Sequence, residues 1–206
     1  MKCRALVLAS LFAAMISAVS APAQAMSTQS HASTADGAPT VRKGFFNSGG
    51  FGYGSAGIDC DGCSHNRESG PVAYIRLGGT INPHLRIGVE SNGWAKTAYG
   101  VDEQIAFVTA DLYVYPSVSN NFWLKGGVGL ATGKESYNSD ELKATGVGVG
   151  GGIGYDWNVS GGNFVLVPFA TYLRQLSGNI KLDGVDSGVS ANTNLFEFGV
   201  GLGYRH

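Results

Sequence analysis

Cys60-Asp61-Gly62-Cys63 is the most reactive grouping in the chain, and Ser64 and His65 follow it directly. Three chemistries could use such residues. Thiol exchange of the thioredoxin kind needs the cysteine pair in a βαβ setting at the start of a helix, and no helical pattern is present here. Zinc needs two further ligands; Asp59, Asp61 and His65 are near, but a lone CxxC is half a site. Acyl transfer would take Ser64 as nucleophile and His65 as base, yet neighbours on an extended chain point apart. No nucleophile-elbow sequence surrounds them either. In an oxidising compartment Cys60 and Cys63 read instead as a local disulfide pinning a loop. So short a ring contributes modestly. These residues are assigned no catalytic, cofactor or metal role.

A second set is more informative because of where it falls. Arg76, Arg86, Lys125 and Arg174 are matched by Glu90, Asp111 and Glu197, and each lies in a segment that alternates with period two. Side chains of a strand switch faces at every residue, so these charges share a face opposite an aliphatic one. The closing stretch shows the pattern best. Phe196, Phe198, Val200, Leu202 and Tyr204 alternate with Glu197, Gly199, Gly201, Gly203 and Arg205. One side is bulky and apolar, the other tiny or charged.

Eight such segments are expected near 44–57, 71–81, 84–95, 104–115, 121–133, 144–157, 163–177 and 193–206. Connections around Asn82-Pro83, Ser117 to Asn120 and Asn158 to Gly162 are tight; those at 58–70, 96–103, 134–143 and 178–192 are longer and more polar. Short and long alternate strictly, as in bacterial outer-membrane barrels with short periplasmic turns and longer outer loops. Phe45, Tyr115, Phe122, Trp123, Tyr155, Trp157, Phe164 and Tyr204 cluster at the tight-turn ends, the pattern of an interfacial girdle. Trp94, Phe107, Tyr172 and Phe196 would form a sparser one at the other end.

Composition and the N-terminus agree with export. Lys2 and Arg4 precede an apolar run from Ala5 to Val19 and a small-residue site at Ala23-Gln24-Ala25, the pattern of a secretory signal. Residues 1–25 are therefore read as a signal peptide, 26–43 as a flexible lead-in and 44–206 as one barrel domain. Taking Lys2 and Arg4 from the 14 basic residues leaves 12 against 15 acidic, a formal charge of −3 that implies no nucleic-acid partner. Charged residues are 14% of the chain, well below the share usual in soluble domains, and 32 glycines are about twice the usual share. A periplasmic lipocalin-like barrel is the structural rival. It would set a glycine-rich face against water, where glycine weakens a strand and gains nothing.

The signal peptide, the eight alternating strands and the closing FEFGVGLGYRH resemble the small eight-stranded outer-membrane barrels of the OmpA/OmpX-like and opacity-protein-like group. The resemblance implies an all-β, antiparallel, up-and-down transmembrane barrel in the bacterial outer membrane, with both termini periplasmic. It also implies insertion by the barrel-assembly machinery, with outer-membrane lipid and lipopolysaccharide as surroundings. Phe198, Val200, Leu202 and Tyr204 then face lipid. Arg76, Arg86, Glu90, Asp111, Lys125, Arg174 and Glu197 form a charge-paired lumen, because unpaired ions there cost several kcal/mol each. The expected role is structural or surface-interacting, as a monomer without cofactor. Passage of a small solute or hydrophobic compound is the alternative, and lipid A modification a more distant one.

Overall fold

The computed structural model describes residues 42–59, 67–98, 100–137, 140–159, 162–182, 185–190 and 192–205. The signal segment, Cys60, Cys63, Ser64, His65 and His206 lie outside the described residues. The strands are β1 (Phe45–Asp59), β2 (Arg67–Asn82), β3 (Leu85–Ala98), β4 (Val101–Val114), β5 (Phe122–Tyr137), β6 (Asp140–Tyr155), β7 (Trp157–Asn158), β8 (Phe164–Leu182), β9 (Val185–Ser190) and β10 (Asn192–Arg205).

Eight of them are the staves of a closed barrel. Each long strand pairs antiparallel with the next, and β10 returns to β1 over a register running from Phe46 opposite Arg205 to Asp59 opposite Asn192. The two-residue β7 resumes pairing with β8 after a break at Asp156, and β9 folds back on the far end of β8. Closure leaves no unpaired edge, as a spanning sheet in hydrocarbon requires.

The connections expected as long loops at 96–103 and 134–143 are mostly strand. β3 and β4 pair out to Ala98 and Val101, and β5 and β6 pair out to Tyr137 and Asp140. Gly100, at a φ of 82°, supplies the left-handed residue that the β3–β4 turn needs. The polar composition that suggested loops reflects extended hairpins wet on their outer face.

The outward face shows where the hydrocarbon band ends. On β4 the outward residues are apolar from Val114 back to Ala106, then polar at Gln104 and Asp102. On β5 they are free of polar groups from Phe122 to Leu130, then polar at Thr132, Lys134 and Ser136. On β6 they run without a polar group from Tyr155 to Val147, then Thr145 and Lys143. Each band is nine residues long by sequence number, the length a tilted strand needs to cross a bilayer. Phe51 is 78% exposed, Leu130 64% and Leu202 63%, values that only an apolar solvent makes favourable.

One strand is inverted relative to expectation. On β8 the apolar set Val165, Val167, Phe169 and Leu173 points inward, and Leu166, Pro168, Tyr172 and Arg174 point outward. Both faces of β8 are apolar, so alternation alone does not choose between them. Its neighbours choose. A Cβ on Gly150 of β6 would lie 2.4 Å from Leu173, and one on Gly203 of β10 would lie 2.8 Å from Val165. The strands beside β8 are glycine on the inside, and β8 supplies the bulk that fills the space.

The same demand for filling moves several aromatics inside. Tyr115, Trp123, Trp94 and Phe107 are buried in the barrel and belong to no interfacial girdle, whereas Phe45, Tyr155, Trp157 and Phe164 stand exposed at the tight-turn end.

Replacing Leu202 by Lys should cost about 2–4 kcal/mol of unfolding free energy in lipid vesicles if its side chain meets mid-bilayer. Arg174→Leu, at an outward site nearer the interface, should change stability by less than about 1 kcal/mol. Urea titrations of vesicle-embedded protein check both.

Candidate functional site: the charged lumen

Glu90 of β3 is the hub of the interior. Its Oε2 accepts from Arg76 Nε at 2.7 Å and from the Tyr113 hydroxyl at 2.9 Å, while Oε1 accepts from Asn92 Nδ2 at 3.0 Å and from Lys125 Nζ. Four donors from β2, β3, β4 and β5 thus meet one carboxylate. Local reasons put them there. Arg76 and Glu90 are direct cross-strand partners in the β2–β3 register, and Tyr113 and Lys125 are partners in the β4–β5 register. Residues paired across a ladder share a face.

Arg76 is also held from the side by aromatic rings. Its guanidinium carbon lies 4.7 Å from the Trp123 ring centre, 4.9 Å from Tyr113 and 5.1 Å from Tyr74. Cation–π attraction is strongest where water is excluded, and Arg76 is 3% exposed. Trp123 lies over the neighbouring strand because β6 yields to it: a Cβ on its ladder partner Gly154 would come within 2.1 Å of its ring.

A second cluster occupies the tight-turn end. Asp156 interrupts the sheet between β6 and β7 and turns its carboxylate inward. Oδ2 accepts from Arg86 Nη1 at 3.2 Å and from the Tyr115 hydroxyl at 2.9 Å, and Oδ1 accepts from Trp123 Nε1 at 3.0 Å. Trp123 therefore links the two clusters, with its ring on Arg76 and its N–H on Asp156. Arg42 closes this end. It donates to the Pro83 carbonyl at 3.1 Å, to Asn121 Oδ1 at 3.0 Å and to the Asn120 carbonyl, with its guanidinium carbon 4.0 Å from the Tyr115 ring centre. The segment read as a flexible lead-in to residue 43 thus includes a buried residue that joins two tight turns.

Six of the seven charged residues assigned to the lumen point into it: Arg76, Glu90 and Lys125 as one cluster, Arg86 with Asp156, Asp111 accepting from Thr109 Oγ1 at 2.7 Å, and Glu197. Arg174 does not. It lies exposed on the outer face of β8, because the inward positions there carry the filling aliphatics. Glu197 is fully buried, yet neither carboxylate oxygen has a hydrogen-bond partner. The sequence reading names neither Asp156, Asn92 nor Arg42 as a lumen residue. It sets Tyr113 and Tyr115 on the face of Asp111, but gives Tyr115 to the girdle and neither tyrosine a part in the charge network. Asp156 sits between outward-facing Tyr155 and Trp157, and that alternation marked it as inward too.

Within the two clusters both the Glu90 and the Asp156 carboxylates are occupied by donors. Among the described residues no group of three or more His, Cys, Asp or Glu is placed to hold a metal ion. Together the clusters fill and cross-link the bore. Glu90→Gln should cost about 3–5 kcal/mol, since it leaves two buried cations short of their counter-charge. Glu197→Gln should be neutral or stabilising, because it removes a buried charge that no donor satisfies. Equilibrium unfolding of the two variants in lipid should show these opposite signs.

Residues 11–205 match the family model described as outer membrane protein beta-barrel domain. No curated protein matches. Among solved structures, the chain is similar to the attachment invasion locus protein Ail of Yersinia pestis, at 18% identity and a TM-score of 0.55, covering 79% of this chain and 99% of that one. It is also similar to Neisserial surface protein A, at 17% identity and a TM-score of 0.52, covering 79% of this chain and 97% of that one. Closed at eight strands, banded with apolar residues outside and matched over nearly its whole length, this chain belongs to the outer membrane protein β-barrel domain family.

Proposed function

We propose that the protein is a plugged barrel that acts as a structural or surface-interacting element of the outer membrane, not as a pore. The observation that carries this reading is the four-donor coordination of Glu90 across the middle of the bore. A solute crossing the lumen would have to part Glu90 from Arg76 and Lys125 and displace Trp123. Each separation exposes a desolvated charge. An eight-stranded ring is only wide enough for its own side chains, so no parallel path exists beside the plug.

On this reading the chain loses residues 1–25 on export and is inserted as a monomer by the assembly machinery. It sits among outer-membrane lipid and lipopolysaccharide with both termini in the periplasm. The tight turns then face the periplasm, and the extended hairpins β3–β4, β5–β6 and β8–β9 stand outside the cell. These hairpins carry the contacts of a surface role, supported by continuous ladders from the membrane band. Passage of a hydrophobic compound and modification of lipid A are disfavoured by the same facts: the interior is closed, and the described outer-end residues present no nucleophile with an aligned base.

Purified protein in planar bilayers should show no reproducible single-channel steps over the voltage range that the bilayer tolerates. Regular steps of one size would contradict a plugged lumen. Biotin labelling of cysteines placed at Thr97 and at Ser119 in intact cells should modify the first and spare the second. The reverse result would invert the orientation.

A further inference from the structure

We propose that the tight-turn end of the lumen binds a monatomic anion of the chloride class, held by Arg76, Arg205 and Ser48. A small cavity lies here, about 10 Å³, bounded by Ser48, Arg76, Arg86, Tyr113, Asp156 and Arg205 among others. That is room for roughly one water-sized guest. It excludes a sulfate, a phosphate or any carboxylate compound.

The polar atoms left unsatisfied around it are all groups able to donate. Arg76 Nη2, Arg205 Nη1 and the Ser48 hydroxyl are buried without a hydrogen-bond partner. The Tyr74 hydroxyl, just outside the wall, interacts with Ser48, so the pair of hydroxyls has one proton left to donate. The one carboxylate in the wall, Asp156, is already taken by Arg86, Tyr115 and Trp123. The wall holds no second carboxylate to meet the charge behind these N–H groups.

Charge points the same way. Three guanidinium groups border the cavity against one carboxylate, and Arg205 donates to the neutral Asn158 side chain. Among the described residues Arg205 makes no ion pair. Arg76 forms an ion pair with one carboxylate among the described residues, Glu90, which it shares with Lys125. A water could accept from two of the donors but would leave the excess positive charge uncompensated. Buried charge without a counter-charge is costly, and a bound anion reduces that cost while satisfying up to three donors at once. The carboxylates of the central lumen do not serve: Glu197 and Asp111 are not in the cavity wall.

The test is halide substitution on the full folded protein. Crystals grown with bromide in place of chloride, measured at the bromine absorption edge, should show an anomalous peak within hydrogen-bonding reach of Arg76 and Arg205. In solution the melting temperature should rise by roughly 3–5 °C at ten times Kd in chloride or bromide, relative to gluconate at equal ionic strength. Arg205→Gln should flatten that halide dependence, and Ser48→Ala should weaken it without removing a charge. A cavity without an anomalous peak, or identical melting in halide and gluconate, would overturn the proposal. So would a halide effect that both variants retain unchanged.

Discussion

Eight strands close around a bore that a single layer of side chains can fill, and this limit governs the molecule. Inward positions are glycine where a neighbour's side chain needs the space, and elsewhere carry the side chains that fill it. Glu90 is where the crossings meet: four donors from four strands converge on one carboxylate, so β2 to β5 are tied together through the interior as well as along their ladders. A polar interior is costly by itself. It is tolerable because both oxygens of the central carboxylate are satisfied, by two donors each.

Glycine and bulk are distributed in complement around the ring. β6 and β10 are thin inside, and β8 between them is thick. Trp123 lies over Gly154, and Leu173 over Gly150. The outward face obeys a simpler rule, since any apolar residue suits hydrocarbon, and its nine-residue bands on β4, β5 and β6 end at nearly one level. Beyond that level the same strands continue as hairpins with polar outer faces. The membrane thus sets the length of the apolar band, and the hairpins are free to carry the surface role proposed for them. A closed, cross-linked interior supports them.

Much of this was legible from residue order alone. The closing strand from Phe196 to Tyr204 states its two faces unambiguously, because glycine and glutamate alternate with large apolar residues. Strand number, antiparallel order and the inward set of β3, β4 and β5 follow from the same alternation. β8 was not legible: with Val165, Val167 and Phe169 on one face and Leu166, Pro168 and Tyr172 on the other, hydrophobicity carries no directional information. Its facing is decided by the neighbouring strands, a tertiary fact. Arg174 went astray for that reason. Asp156 and Arg42 escaped because they lie at strand ends, where a carboxylate or guanidinium ordinarily reads as solvated. The extended hairpins read as loops because polar residues on their outer face remove the strand's amphipathic signature.

The claim on which the account depends is that Glu90 and Lys125 act as one buried unit. A double-mutant cycle on the pair in lipid vesicles tests it most directly. The account predicts that Glu90→Gln combined with Lys125→Met is more stable than Glu90→Gln alone, because the second change removes the cation that the first leaves uncompensated. Additive losses from the two substitutions would contradict it.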